Sequence, residues 1–246
     1  MKQQSKKRIK IFVCILLIWL AFAFFLGVIK GVVGIPDDIV WKSYYLISTI
    51  IIVGCIIFNM CYHMYYNKKM KEAMKLLEAN ETDEYIAYVN ELLAKAKGSY
   101  LKTLFTINLS VGYSDKKEYK KAIALLESVS QSRMHGALKM AYRINLCWNY
   151  YYDNQREKAV SIYLESSKIF KKFRGTPLYG GNIAVLDMFM ELEKENYELA
   201  AALLVIAKSK WNNPRLQDDF LYIEKILKEH TENTCRSEKS NYESVM

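Results

Sequence analysis

The sequence predicts an all-α protein in two parts, a two-helix transmembrane hairpin followed by an array of α-hairpins. Three observations carry this. Two long uncharged runs lie within the first 67 residues, and beyond residue 68 apolar residues recur at helical spacing. A pattern of small and aromatic residues also repeats, at intervals of 37 and 41 residues. Only 10 Gly and 3 Pro in 246 residues argue against a loop-rich sandwich or barrel.

The elements follow in order. Residues 1–10 form a basic segment with Lys2, Lys6, Lys7, Arg8 and Lys10. Residues 11–29 carry no charge, enough helix to match the hydrocarbon core of a bilayer. Residues 30–42 hold Gly31, Gly34 and Pro36 and read as an extracytoplasmic turn with Asp37 and Asp38. Residues 43–67 form a second run free of Asp, Glu, Lys and Arg. Only a helix satisfies its own backbone hydrogen bonds in lipid, so both runs are expected to span. Lys68, Lys69, Lys71 and Lys75 follow the second span, and the excess of basic residues outside the turn places both chain ends in the cytoplasm. The expected location is a multi-pass cell-membrane protein.

A cleaved signal peptide is the rival reading of the first run, because Ala21-Phe22-Ala23 imitates a cleavage site. The apolar stretch continues through Ile29, which favours retention. Trp41, Tyr44, Tyr45, Tyr62, Tyr65 and Tyr66 sit where membrane interfaces should fall. Ala23 and Gly27 could let spans approach closely, so self-association through the hairpin is one use of this pair. Without Asp, Glu, Lys or Arg in either run, the hairpin reads as an anchor rather than a transporter. No Gly or Pro interrupts the chain between Gly54 and Leu77, which predicts one helix running out of the second span.

Residues 68–230 change character. Met70, Met74 and Leu77 make one helical stripe, and Tyr85, Val89, Leu92, Leu93 and Ala96 make the next. Asn80-Glu81-Thr82-Asp83 joins them and Gly98 closes the second helix. The repeat then begins. Leu109-Ser110, Tyr113, Glu118-Tyr119 and Ala122-Ile123 are echoed by Leu146-Cys147, Tyr150, Arg156-Glu157 and Ala159-Val160; Tyr197 and Ala200-Ala201 open a third copy. Small residues at Ser110, Cys147, Ala122, Ala159 and Ala200 let paired helices approach, and Tyr and Leu fill the grooves beside them. In the third copy Asp187-Met188 and Glu191 stand where the apolar–small pair and the aromatic belong, unless a one-residue insertion brings Leu186 into register. Residues 231–246 are polar and read as a flexible tail.

At these residues the chain resembles the tetratricopeptide repeat family over roughly residues 100–214, with residues 69–97 as a diverged leading pair. The glycine of that family's inter-helix turn is replaced by Lys117 and Gln155, and a family-type proline occurs only as Pro214. The resemblance implies a superhelix whose concave wall is formed by the first helix of each pair and which binds a protein or peptide. On that wall Ala141, Ile144, Trp148, Tyr151 and Tyr152 would be displayed, with Asn145 and Asn149 reading a partner's backbone and Phe189 extending the surface. The alternative is that Trp148 and Tyr151 pack beneath the last helix, Arg215–Lys228, or against a neighbouring hairpin.

The chemistry-bearing patterns point away from catalysis. Phosphate-loop, dinucleotide, zincin and hydrolase-elbow motifs do not occur. Five Cys form no C-x-x-C pair, His135 and His230 are far apart, and Cys147 sits at a position that needs a small residue. Gly180-Gly181 reads as a helix-joining loop. The expected cofactor and metal content is therefore none. Residues 68–246 hold 28 basic and 24 acidic residues, a mild excess suited to anionic lipid headgroups rather than nucleic acid. The expected partners are thus an unidentified protein or peptide and the bilayer. The expected role is a membrane-tethered adaptor, with a regulatory receptor sensing a small peptide as the alternative.

Overall fold

The computed structural model describes residues 19–32, 34 and 36–245, and among these every regular element is helical, as expected. The chain divides into two compact units, residues 1–68 and 69–246. The first contains α1 (Trp19–Val32) and the larger part of α2 (Asp37–Glu78). Residues 11–18 of the expected first span, and the basic segment before them, lie outside the described residues. Tyr44 of α2 meets Trp19 and Phe22 of α1 at 6.0 and 6.1 Å between ring centroids, and Lys30 pairs with Asp37.

The turn between these helices is shorter than expected. Helix α1 runs to Val32 and α2 opens at Asp37, so most of the expected 30–42 loop is helical. Pro36 precedes the helix and its carbonyl accepts from Ile39 and Val40, while Asp37 and Asp38 complement the dipole of the first turn. Helix α2 is 42 residues, about 63 Å long. It holds an 18-residue window of mean hydropathy 2.0, none of it buried. Among the described residues it is the one helix long and apolar enough to cross a membrane. Its continuity through Glu78 matches the unbroken run after Gly54.

The second unit is built of helices α3 (Thr82–Lys95), α4 (Ser99–Asp115), α5 (Tyr119–Glu127), α6 (Gly136–Tyr152), α7 (Arg156–Phe173), α8 (Gly180–Leu192), α9 (Tyr197–Lys210) and α10 (Gln217–Val245). Short 3-10 turns at Gln131–Arg133 and Pro214–Leu216 precede α6 and α10. Helix α4 packs on α5, α6 on α7 and α8 on α9, which are the three pairs the repeat predicts.

Four helix joints share one backbone device. Asn80, Lys117, Asn154 and Glu195 all have φ near +60° (61°, 61°, 60° and 58°). Around each, the left-handed residue donates three residues back, to Leu77, Ser114, Tyr151 and Leu192 respectively. The next residue donates five back, to Leu76, Tyr113, Tyr150 and Glu191. This double bond satisfies carbonyls left over at a helix end and turns the chain sharply into the next helix. The four positions lie 37, 37 and 41 residues apart, the spacing of the alanine anchors extended one copy earlier. The leading pair, the end of α2 with α3, therefore has the same joint as the rest. The left-handed position in the second repeat is Asn154, not the expected Gln155, because the pairing register is set by the helix end one residue earlier.

Small residues sit at the tightest helix contacts. Ser110, Ala122, Cys147, Ala159 and Ala200 are buried, and the Cys147 thiol donates to the Ala159 carbonyl at 3.2 Å across the α6–α7 joint. Burial pushes that thiol up to about 12, so it packs and does not react. Gly112 lies so close to α3 that a Cβ there would stand 2.7 Å from Ile86 and 2.9 Å from Tyr85. Gly180 and Gly181 are not a loop. They form the buried first turn of α8, where Trp211 and Leu216 occupy the space side chains would need. The irregular third copy is explained by a polar contact. Asp187 accepts from the Tyr163 hydroxyl at 2.5 Å and pairs with Arg174, so a carboxylate is satisfied where an apolar residue was expected.

The C-terminal segment also differs. Helix α10 continues to Val245, where composition predicted an irregular tail from residue 231. No Gly or Pro follows Pro214, and Lys225–Glu229 and Lys228–Glu232 pair one turn apart on the exposed face.

Candidate functional site

The residues expected on a concave wall belong mostly to the interior. Ile144, Asn149, Tyr151 and Phe189 are 3% exposed or less, while Ala141, Asn145, Trp148 and Tyr152 are half-buried. Tyr151 of α6 stacks on Phe189 of α8 with centroids 3.9 Å apart and planes 4° apart. Asn149 donates to the carbonyl of Asn145 at 2.6 Å, inside its own helix, instead of reading a partner. These eight residues lie on α6 and α8, and four of them keep partial exposure. Tyr151 packs against the neighbouring hairpin, on Phe189.

Helix α10 packs chiefly on α9 and α8, and it and the 3-10 turn before it make polar contacts with the ends of earlier helices. The last residue of α4, Asp115, accepts from Arg215 at 3.0 Å. The last residue of α6, Tyr152, donates its hydroxyl to Asp219. Glu193, directly after α8, pairs at 3.4 Å with Arg156, which also donates to the Tyr222 hydroxyl at 3.3 Å. Asp115, Tyr152 and Glu193 each lie two residues before a left-handed joint residue, so they are the same position in successive repeats. Arg215 belongs to the 3-10 turn Pro214–Leu216, while Asp219 and Tyr222 lie three apart in α10.

Aromatic rings fill the space around these contacts. Tyr152 stacks on Tyr119 at 5.4 Å and meets Tyr222 and Phe189 at 5.6 Å each. The Arg156 guanidinium lies over the Tyr151 ring at 3.4 Å. Leu216 of the 3-10 turn and Phe220 and Ile223 of α10 are buried. Asp219 is buried among these rings, and desolvation raises its carboxyl to about 6 against the hydrogen bond from Tyr152. The same burial, with Asp219 close by, raises the Tyr152 phenol far above its ordinary range, so it stays a neutral donor. Two polar atoms of this region, Trp148 Nε1 and Asn149 Oδ1, are buried without a hydrogen-bond partner.

Sequence reasoning missed Asp115, Tyr119, Arg156, Glu193, Asp219 and Tyr222. The available signal was positional: the residue two before each joint, compared across repeats, rather than apolar character. Among the described residues, no three His, Cys, Asp or Glu side chains gather where they could hold a metal ion. Compared with known protein families, characterised proteins and solved structures, the chain matches none.

Proposed function

We propose that this chain is a membrane-tethered adaptor. In this reading the apolar hairpin crosses the bilayer twice with both ends in the cytoplasm, and the tetratricopeptide-like array gathers a protein or peptide partner there. The observation that carries it is the contrast within one chain. The apolar window of α2 is wholly unburied, whereas the hairpin helices of residues 69–246 enclose their apolar faces. An unburied apolar helix of this length suits a lipid surround. Tethering raises the effective concentration of the array around clients confined to the same surface.

Replacing residues 37–67 with an unrelated spanning helix tests the division of labour. Partner recovery from detergent-solubilised membranes should persist in the exchanged chain and fall when the span is deleted. Recovery that depends on the sequence of the span would contradict the reading.

The regulatory-receptor alternative draws on a separate observation, the polar contacts by which Arg215 and Asp219 hold to Asp115 and Tyr152 at the ends of α4 and α6. A small peptide would then act by competing for those contacts.

A further inference from the structure

We infer that the helical array has a lipid-binding end: the connections between its hairpins form a cationic surface that rests on the anionic headgroups of the cytoplasmic leaflet. The inference deepens the adaptor reading and rests on its placement of the chain in the bilayer.

Up-and-down packing sorts the connections onto two ends. One end gathers the four left-handed joints, where Lys116 meets Asp83 at 2.6 Å, Tyr119 stacks on Tyr152, and Arg156 meets Glu193 at 3.4 Å. The other end gathers the connections between hairpins, residues 95–102, 128–139, 171–179 and 207–213. There the Tyr179 hydroxyl donates to the Ala137 carbonyl at 3.4 Å, and Trp211 fills the space beside Gly180. Burial raises the Tyr179 phenol and nearby Tyr100 adds to it, so the first connection lies in the same group.

Charge divides with the packing. The connections between hairpins carry 10 Lys and Arg and no Asp or Glu. Residues 78–84, 115–121, 152–158 and 193–199, at the joints, carry 11 acidic and 7 basic residues. Lys97, Lys102, Lys171, Lys172 and Lys210 are exposed at the cationic end, and Leu178 stands 71% exposed among them. Clustered cations around an apolar side chain match phosphate headgroups lying over hydrocarbon. An end facing water alone has no need to exclude carboxylates, and the joints do not exclude them.

The chain enters the array at this cationic end. Residues 69–78 of α2 run into the first joint, and Tyr88 of α3 donates to Glu72 at 3.0 Å. Glu91 of α3 feels the charges of both Lys95 and Lys69, so the C-terminal end of α3 lies on the Lys69 side. The uncharged run of α2 stops at Asn67, directly before the lysines that open this segment. In the adaptor reading, the end that carries no acid is thus the end at which the chain leaves lipid. An anionic leaflet attracts it and leaves the acidic joint end toward water.

The test uses the full chain in lipid nanodiscs of phosphatidylcholine, with or without about 30% phosphatidylglycerol. A water-soluble lysine-acylating reagent, read by peptide mass spectrometry, reports which lysines are covered. Lys97, Lys102, Lys171, Lys172 and Lys210 should react at least about threefold more slowly in the anionic discs, and high salt should remove the difference. Lys117 and Lys120, exposed at the joints, should react equally in both. Equal rates at the cationic end in the two discs, or equal slowing at both ends, overturns the inference. Slowing by single-stranded RNA in phosphatidylcholine discs, without slowing by phosphatidylglycerol, also overturns it. A chain that does not enter the discs fails the adaptor reading, whereas a chain that enters them and reacts equally fails this inference alone.

Discussion

The hydroxyl of Tyr152, at the end of α6, donates to the carboxylate of Asp219, in the first turn of α10, joining residues 67 apart in sequence. The bond lies among the rings of Tyr119, Phe189 and Tyr222, where a charge is costly. Asp219 therefore titrates near 6 when folded, against about 4 in an unfolded chain. Between those values the folded protein keeps a proton that the unfolded chain has released, so Asp219 lowers stability as pH rises from about 4 to about 6. Asn in its place keeps an acceptor for Tyr152 and removes the charge. The stability of Asp219→Asn relative to wild type should improve by roughly 2 kcal/mol from pH 4 to pH 7. Chemical denaturation at the two pH values measures this, and a difference that does not change with pH would show that Asp219 is not desolvated.

Tyr151 and Phe189 were expected to face a partner, and their stacked rings instead join two hairpins. Tyr151→Ala should act as a core truncation, costing about 3 to 5 kcal/mol and lowering Tm. Thermal unfolding followed by circular dichroism checks it. A variant that keeps wild-type Tm would place Tyr151 back on a surface.

How much was legible in the sequence divides along physical lines. Helix pairing was readable because alanine and aromatic periodicity reports close packing directly, as at Ala122, Ala159 and Ala200. The left-handed joints were partly readable. Lys117 stood out as a missing glycine, but Glu195 carries no compositional signal for positive φ. The closing helix was readable only as an alternative, because Arg215, Asp219 and Tyr222 gain meaning from residues 60 to 100 positions away. The helix continues beyond residue 231, where the polar composition suggested a tail, with no Gly or Pro to interrupt it.

The joints themselves offer a stabilising change. Lys117 and Glu195 hold φ values that cost an L-residue roughly 1 kcal/mol and a glycine little. Lys117→Gly and Glu195→Gly should each raise stability by about 0.5 to 1 kcal/mol, less the entropy glycine adds to the unfolded chain. Denaturant midpoints would register the gain, and a loss at both sites would show that the side chains carry contacts outweighing the strain.

Close approach at glycine should be unforgiving. Alanine at Gly112 puts a methyl group against Tyr85 and Ile86, and at Gly180 it meets Trp211 and the Arg174 carbonyl at 2.6 Å or less. Each should cost about 1 to 3 kcal/mol, with Gly180→Ala the worse because backbone yields less than a side chain. Gly98→Ala is the contrast. Nothing lies within 4 Å of its Cβ, so its effect should come from φ +91° alone. The three Tm values decide the order.

The proposed function requires the unburied apolar helix α2 to sit in lipid and residues 69–246 to fold without the span. Alkaline extraction of membranes expressing the full chain, beside cells expressing residues 69–246 alone, tests both halves at once. The full chain should stay in the membrane pellet, and the shorter chain should remain in the supernatant with a helical circular dichroism spectrum and a cooperative melt. Release of the full chain by alkali, or a shorter chain that is unfolded, would contradict the account.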